Sequence, residues 1–145
     1  MGLFTFLKRT PAPTFETAYG VFTRQRSKSA EKFWTCTQNG IFYAVRGTEQ
    51  APFGDLVDFT GRLDMELNSI EEPLNQRFRL LFEEAGLDVS FTSWKQRYKT
   101  EGVIVYAATP EHTVWDVTFE ELNEPYAHFS TTVTNGQLSD FVMDL

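Results

Sequence analysis

Apolar side chains alternate with polar ones through both ends of this chain and recur at spacings of three and four through its middle. A period of two marks a strand with one face buried, and a period near 3.6 marks an amphipathic helix. In "FETAYGVFTR", Phe15, Tyr19 and Val21 share one parity, which predicts a strand over residues 15–24. The next segment, "KFWTCTQNGIFYAVRG", has two aromatic and β-branched runs flanking Asn39-Gly40, the dipeptide favoured in type I′ hairpin turns. That turn sets Trp34 opposite Val45, Cys36 opposite Tyr43 and Gln38 opposite Ile41, all on the predicted core face. Cys36 is therefore expected inside.

The period changes after residue 54. Leu56, Phe59, Leu63 and Leu67 suit a helix, while Gly61 and the alternation of Leu63, Met65 and Leu67 also allow a strand. In "SIEEPLNQRFRLLFEEAGL" a helix is clearer. Its start is either a capping box of Ser69 with Glu72 or an opening at Pro73. Leu74, Phe78, Leu81 and Phe82 form its stripe, and Gly86 is placed to end it. Alternation then returns: "DVSFTSW" sets Val89 and Phe91 against Ser90 and Thr92, and "GVIVYAA" reads as a central strand covered on both faces. "HTVWDVTFE" divides Trp115, Val117 and Phe119 from Asp116, Thr118 and Glu120. A second hairpin at Asn135-Gly136 sets Phe129 opposite Val142 and Val133 opposite Leu138. The sum is an α+β fold in a single domain over 1–145. Its antiparallel sheet comes from both ends of the chain, and helical structure over about residues 54–86 packs on one face.

Composition supports a packed core, with fourteen Phe, five Tyr and three Trp among 145 residues. No apolar run approaches the roughly 18 residues of a membrane span. "MGLFTFLKR" has its basic residues after a short apolar run instead of before it, and Phe6 breaks the myristoylation pattern that Gly2 would open. With Cys36 the sole cysteine, no internal disulfide forms. A cytoplasmic location is expected.

Charge adds a direction. The first 50 residues hold seven basic side chains against three acidic ones, and the remainder six against seventeen. After Lys99 come eight carboxylates and no Lys or Arg. Such a field repels phosphate backbones and anionic membranes and attracts basic proteins, so neither nucleic acid nor membrane is expected as a partner.

Candidate chemistry changes the picture little. His112, Asp116 and Glu120 are spaced by four, but on an alternating strand they spread over about 26 Å, too far for one ion. Neither zinc nor EF-hand ligand spacing occurs. Paired carboxylates for acid–base work need a cleft that separates their pKa values, and no cleft is visible. Cys36 with His112 or His128 would be a nucleophile pair, yet Cys36 lies among apolar neighbours without a cation to activate it. "SWKQRYK" interleaves Trp94 and Tyr98 with Lys95, Arg97 and Lys99 as a single-strand nucleic-acid site would, but the patch is short and flanked by acidic strands, and a solvated turn between strands is the better reading. The basic "TRQRSK" allows the same reading and is equally plausible as a plain loop before the first hairpin. With neither GxGxxG nor GxxxxGK[ST], a nucleotide cofactor is not expected.

Binding modules are left ahead of enzymes. In "VWDVTFEELNEPY", Asp116 and Glu120 should point outward from a strand, with Glu121 and Glu124 in the turn after it. Asp140 and Asp144 should lie on the final strand. Together these six would form an anionic docking surface for a basic protein. In size, acidity and α+β architecture the whole chain resembles the immunity proteins of bacterial toxin systems, including contact-dependent growth inhibition. That resemblance implies a protein inhibitor of a basic toxin domain, such as a nuclease. It transfers no binding residues, because no shared motif carries it. The alternatives are a secretion-type effector chaperone, which normally begins with an amphipathic helix, and a small enzyme or ligand-binding domain whose pocket the sequence does not display.

Overall fold

A computed structural model describes residues 11–87, 92–124 and 127–144. The elements run β1 (Thr14–Thr17), β2 (Gly20–Arg24), β3 (Lys32–Gln38), β4 (Ile41–Gly47), α1 (Gly54–Gly61), α2 (Leu63–Ser69), α3 (Glu71–Glu84), a 3-10 turn (Trp94–Gln96), β5 (Tyr98–Ala108), β6 (Thr113–Glu121), β7 (His128–Thr134), β8 (Gln137–Leu138) and β9 (Val142–Asp144). The nine strands form one sheet in chain order, with β8 and β9 both on β7. Every pair is antiparallel except β4–β5, which is parallel. The fold is α+β, as expected, with that one parallel junction added. A parallel pair needs a crossover, and the segment carrying α1–α3 supplies it.

The core lies between the helices and one sheet face. Trp34, Cys36, Tyr43, Val45, Val103, Val105, Trp115, Val117, Phe119, Phe129 and Val133 point inward and are buried. Leu56, Phe59, Leu63 and Leu67 cover them as two short helices, with Met65 exposed, so residues 54–67 are helical. In α3, Leu74, Phe78 and Phe82 are buried and Leu81 partly so. Phe78 stacks on Tyr98 at 4.2 Å and meets Phe119, Phe129 and Phe141 edge-on at 5.6, 6.1 and 4.7 Å.

Both Asn-Gly hairpins form. Asn39 and Gly40 take φ of 52° and 78°, Asn135 and Gly136 take 49° and 81°, the double left-handed pair that a type I′ turn requires. The first hairpin has the expected register throughout. In the second, Val133 faces Leu138 but Phe129 faces Met143 and not Val142. One extra residue between β8 and β9 shifts the register, because the Ser139 Oγ accepts from the Thr132 N–H (2.9 Å) where a ladder bond would run. The shift turns Phe141 onto Phe78.

Other expectations are corrected. Residues 15–24 are not one strand but the β1–β2 hairpin. The Thr17 hydroxyl bonds across the turn to Gly20 O at 2.8 Å, and Gly20 takes a φ of 138°. Phe22 is the core residue there, and Val21 faces out. Neither proposed start of α3 is used: the Ser69 hydroxyl donates to Glu66 O (2.6 Å) within α2, and α3 follows directly with Pro73 as its third residue. Gly86 does end it, its N–H bonding Glu83 O and the Leu87 N–H bonding Phe82 O. The expected strand through Val89 and Phe91 lies outside the described residues. Central strand β5 is covered on its Val103–Val105 side only; Ile104 and Tyr106, on the other, are half-buried.

Phe78 joins α3 to both ends of the C-terminal half of the sheet. Phe78→Ala should cost about 3–5 kcal/mol in denaturant unfolding. A loss under about 1 kcal/mol would contradict this packing.

Candidate functional site

Among the described residues the helices lie on one face of the sheet, and the other face is bare. Strand register lines up Thr23, Thr35, Ala44, Ile104, Asp116 and Thr132 as one row across six strands. A neighbouring row runs Thr37, Phe42, Gly102, Thr118 and Ser130, with the Thr118 and Ser130 hydroxyls 2.9 Å apart. Four apolar side chains stand out of this face: Val21, Phe33, Phe42 and Val142. Gly102 lies directly beside Phe42.

The predicted acidic residues are not all brought together. Asp116 is on the bare face as expected, its carboxylate accepting from the Tyr106 hydroxyl (2.8 Å) and the Thr132 hydroxyl (2.6 Å). Glu120 is there too, but only 14% of its side chain is exposed and Lys99 Nζ lies 3.1 Å away. Glu121 is not in the turn. It continues β6 on the inward parity, is buried, and pairs with Arg97 at 3.3 Å. The Arg97 guanidinium in turn lies 4.4 Å from the Phe82 ring centroid. Glu124 is exposed in the turn. Asp140 is not on a strand but in the irregular stretch before β9, where Arg77 reaches it at 2.8 Å. Asp144 is on β9, its Cα opposite His128.

The sequence reading missed both the cations and one acid. Lys99 and Arg97 sit beside Glu120 and Glu121 because β5 pairs with β6, and Arg77 comes from α3. Glu101, at an irregularity in the β5–β6 register, bonds His128 Nδ1 through its Oε2 at 2.6 Å. This adds a carboxylate to the bare face. In sequence it is only one of three consecutive polar residues, Lys99 to Glu101, at the start of β5.

The other candidates resolve simply. Trp94 and Tyr98 are buried, so "SWKQRYK" presents no stacking platform. Cys36 is buried, and burial pushes its thiol pKa up. Among the described residues, no group of three or more His, Cys, Asp and Glu is placed to hold a metal, and no helix is long and apolar enough to cross a membrane. Comparison with protein-family models, curated proteins and solved structures finds no match.

Burial, then the Asp116 hydrogen bond and charge, raise the Tyr106 pKa from 10 to about 12. A raised phenol pKa means the folded state holds the proton more tightly. The resulting stabilisation is complete below pH 10 and fades as pH rises through about 12. Ultraviolet phenolate titration should show a transition near 12 that Tyr106→Phe removes. For Cys36, labelling of the folded protein by a thiol reagent should be slow and should accelerate on unfolding. Rapid labelling of the native state would contradict its burial.

Proposed function

We propose that this chain is a binding protein of the immunity type, whose bare sheet face docks and neutralises a basic toxin domain. One observation carries the reading: a broad sheet face without helical cover presents exposed Phe42, Phe33, Val21 and Val142 beside the carboxylates Asp116 and Glu101. Exposed aromatics on a rigid frame supply anchors, and a specific interface needs roughly 800 Å² per partner, which a sheet of this breadth offers. The acids on its C-terminal half supply long-range attraction for a basic partner. The resemblance in size, acidity and architecture to immunity proteins agrees with this surface and names its class of partner.

The acids are best tested by neutralisation. Reversing Glu120 would set a second cation beside Lys99 and so confound charge with the loss of an ion pair. The test is co-expression with the product of the adjacent gene, followed by surface plasmon resonance on variants of the resulting complex. Asp116→Asn with Glu101→Gln should slow association and flatten its salt dependence. Phe42→Ala should weaken binding about tenfold or more, chiefly by faster dissociation. If all variants bind as wild type does and salt leaves the on-rate unchanged, the partner does not use this face.

A further inference from the structure

On the helix side, away from the bare face, a cleft of about 340 Å³ lies between the end of α1, the start of α2 and the β3–β4 hairpin. Tyr19 and Tyr43 wall it, Thr60 and Gly61 form one end, and the exposed Asp64 stands at its rim. Gly61 is what admits Tyr19, since a Cβ there would run into the phenol ring. A larger cleft of about 730 Å³ adjoins this one and shares Asn39, Ile41 and Asp64 with it. Together they have the size of a small-molecule site.

The smaller cleft gathers hydrogen-bond acceptors and no cation. Tyr43 is 7% exposed, yet its hydroxyl has no hydrogen-bond partner among the described residues. That oxygen is not sealed in, because the only inaccessible unpartnered side-chain atoms among the described residues belong to Trp94 and Tyr98. It therefore opens into the cleft that Tyr43 lines. Burial first, then the negative charge of Asp64, push the Tyr43 phenol above its ordinary pKa, so this carboxylate acts on the same space. Asp64 has no Lys or Arg partner among the described residues. The lysines of the adjoining cleft are engaged elsewhere, Lys95 with Asn68 at 3.2 Å and Lys99 with Glu120 at 3.1 Å. Finally, α1 ends at Thr60 and Gly61 with no basic side chain in its last turn, which leaves the negative end of its dipole unanswered. None of the residues lining the cleft is basic. A carboxylate, a hydroxyl oxygen and the carbonyl end of a helix around one small volume match an ammonium group, which has three donors and no acceptor.

We propose that this cleft binds a primary amine as its ammonium ion. The ammonium donates to the Asp64 carboxylate, the Tyr43 hydroxyl oxygen and the carbonyl end of α1, and the organic body lies against Tyr19 and Ile41. Binding gives the Tyr43 hydroxyl the partner it lacks and neutralises Asp64. The site is independent of the bare-face reading, since it lies on the opposite side of the sheet.

The probes are benzylamine, for a free amine, and Nα-acetyl-lysine amide, for a lysine side chain presented by another protein. Neutral benzyl alcohol is the comparison. Each is titrated at neutral pH into the full chain and followed by nitrogen-edited NMR of the backbone amides. At least one amine should move the Gly61 and Asp64 signals saturably, with Thr118 and Thr132 on the bare face unmoved and benzyl alcohol without saturable effect. The tighter of the two amines identifies the source of the ammonium. Asp64→Asn, at an exposed position whose amide spectrum reports an intact fold, should weaken binding about tenfold or more, the scale of one charge-assisted contact. Tyr43→Phe removes a hydroxyl that bonds nothing in the protein and should weaken binding about threefold or more. No saturable shift with either amine, a shift shared by the bare-face amides, an equal response to benzyl alcohol, or undiminished binding by Asp64→Asn or Tyr43→Phe would each overturn the proposal.

Discussion

The parallel pairing of β4 with β5 obliges the chain to leave the sheet at one end and re-enter at the other. A turn of a few residues cannot do this, so the connection is long and carries α1, α2 and α3. All three helices pack on the same face, where Leu56, Phe59, Leu63, Leu67, Leu74 and Phe78 meet Val103, Val105, Trp115 and Phe119. The junction thus decides which face is buried, and by default which is bare. Phe78 fastens the end of this cover, since its four aromatic neighbours come from β5, β6, β7 and the stretch before β9.

Much of this arrangement is legible in the sequence because its signals are local. Asn-Gly turns fix a register by backbone conformation alone, and strict alternation over Trp115, Val117 and Phe119 fixes which side is inward. What escapes is non-local or depends on one inserted residue. In Phe15–Arg24 the turn is announced only by Gly20, which takes a left-handed φ, and by a threonine able to bond across to it. The Ser139 bulge looks like ordinary strand until its hydroxyl takes the place of a carbonyl in the ladder. The parallel junction is set by how the helical crossover between its two strands packs back on the sheet.

The same limit explains the acidic site. Read along the chain, the stretch after Lys99 has no compensating cation, yet pairing β5 with β6 sets Lys99 and Arg97 against Glu120 and Glu121. For Glu121 the pairing matters structurally, because a buried carboxylate deprived of Arg97 would keep its desolvation cost uncompensated. For the exposed Asp140–Arg77 pair it matters little, since exposed pairs contribute about 0–1 kcal/mol. Glu120 and Glu121 are thus held as structure, while Asp116 and Glu101, bonded to hydroxyls and a histidine, have no Lys or Arg partner among the described residues and lie on the bare face.

Because strand order repeats chain order, the charge asymmetry of the sequence becomes one of space. Between Thr14 and Gly47 five basic side chains stand against two acidic ones, and between Tyr98 and Asp144 one stands against eight. The β4–β5 junction divides these halves, so the sheet carries a lateral gradient of potential. A uniformly acidic face would attract a basic partner in any orientation. A gradient also turns it, since the partner's most cationic region is drawn to β5–β9 and repelled from β1–β4. Phe42 lies on β4 beside Gly102 of β5, at the division itself, where a partner oriented in this way would find its aromatic anchor.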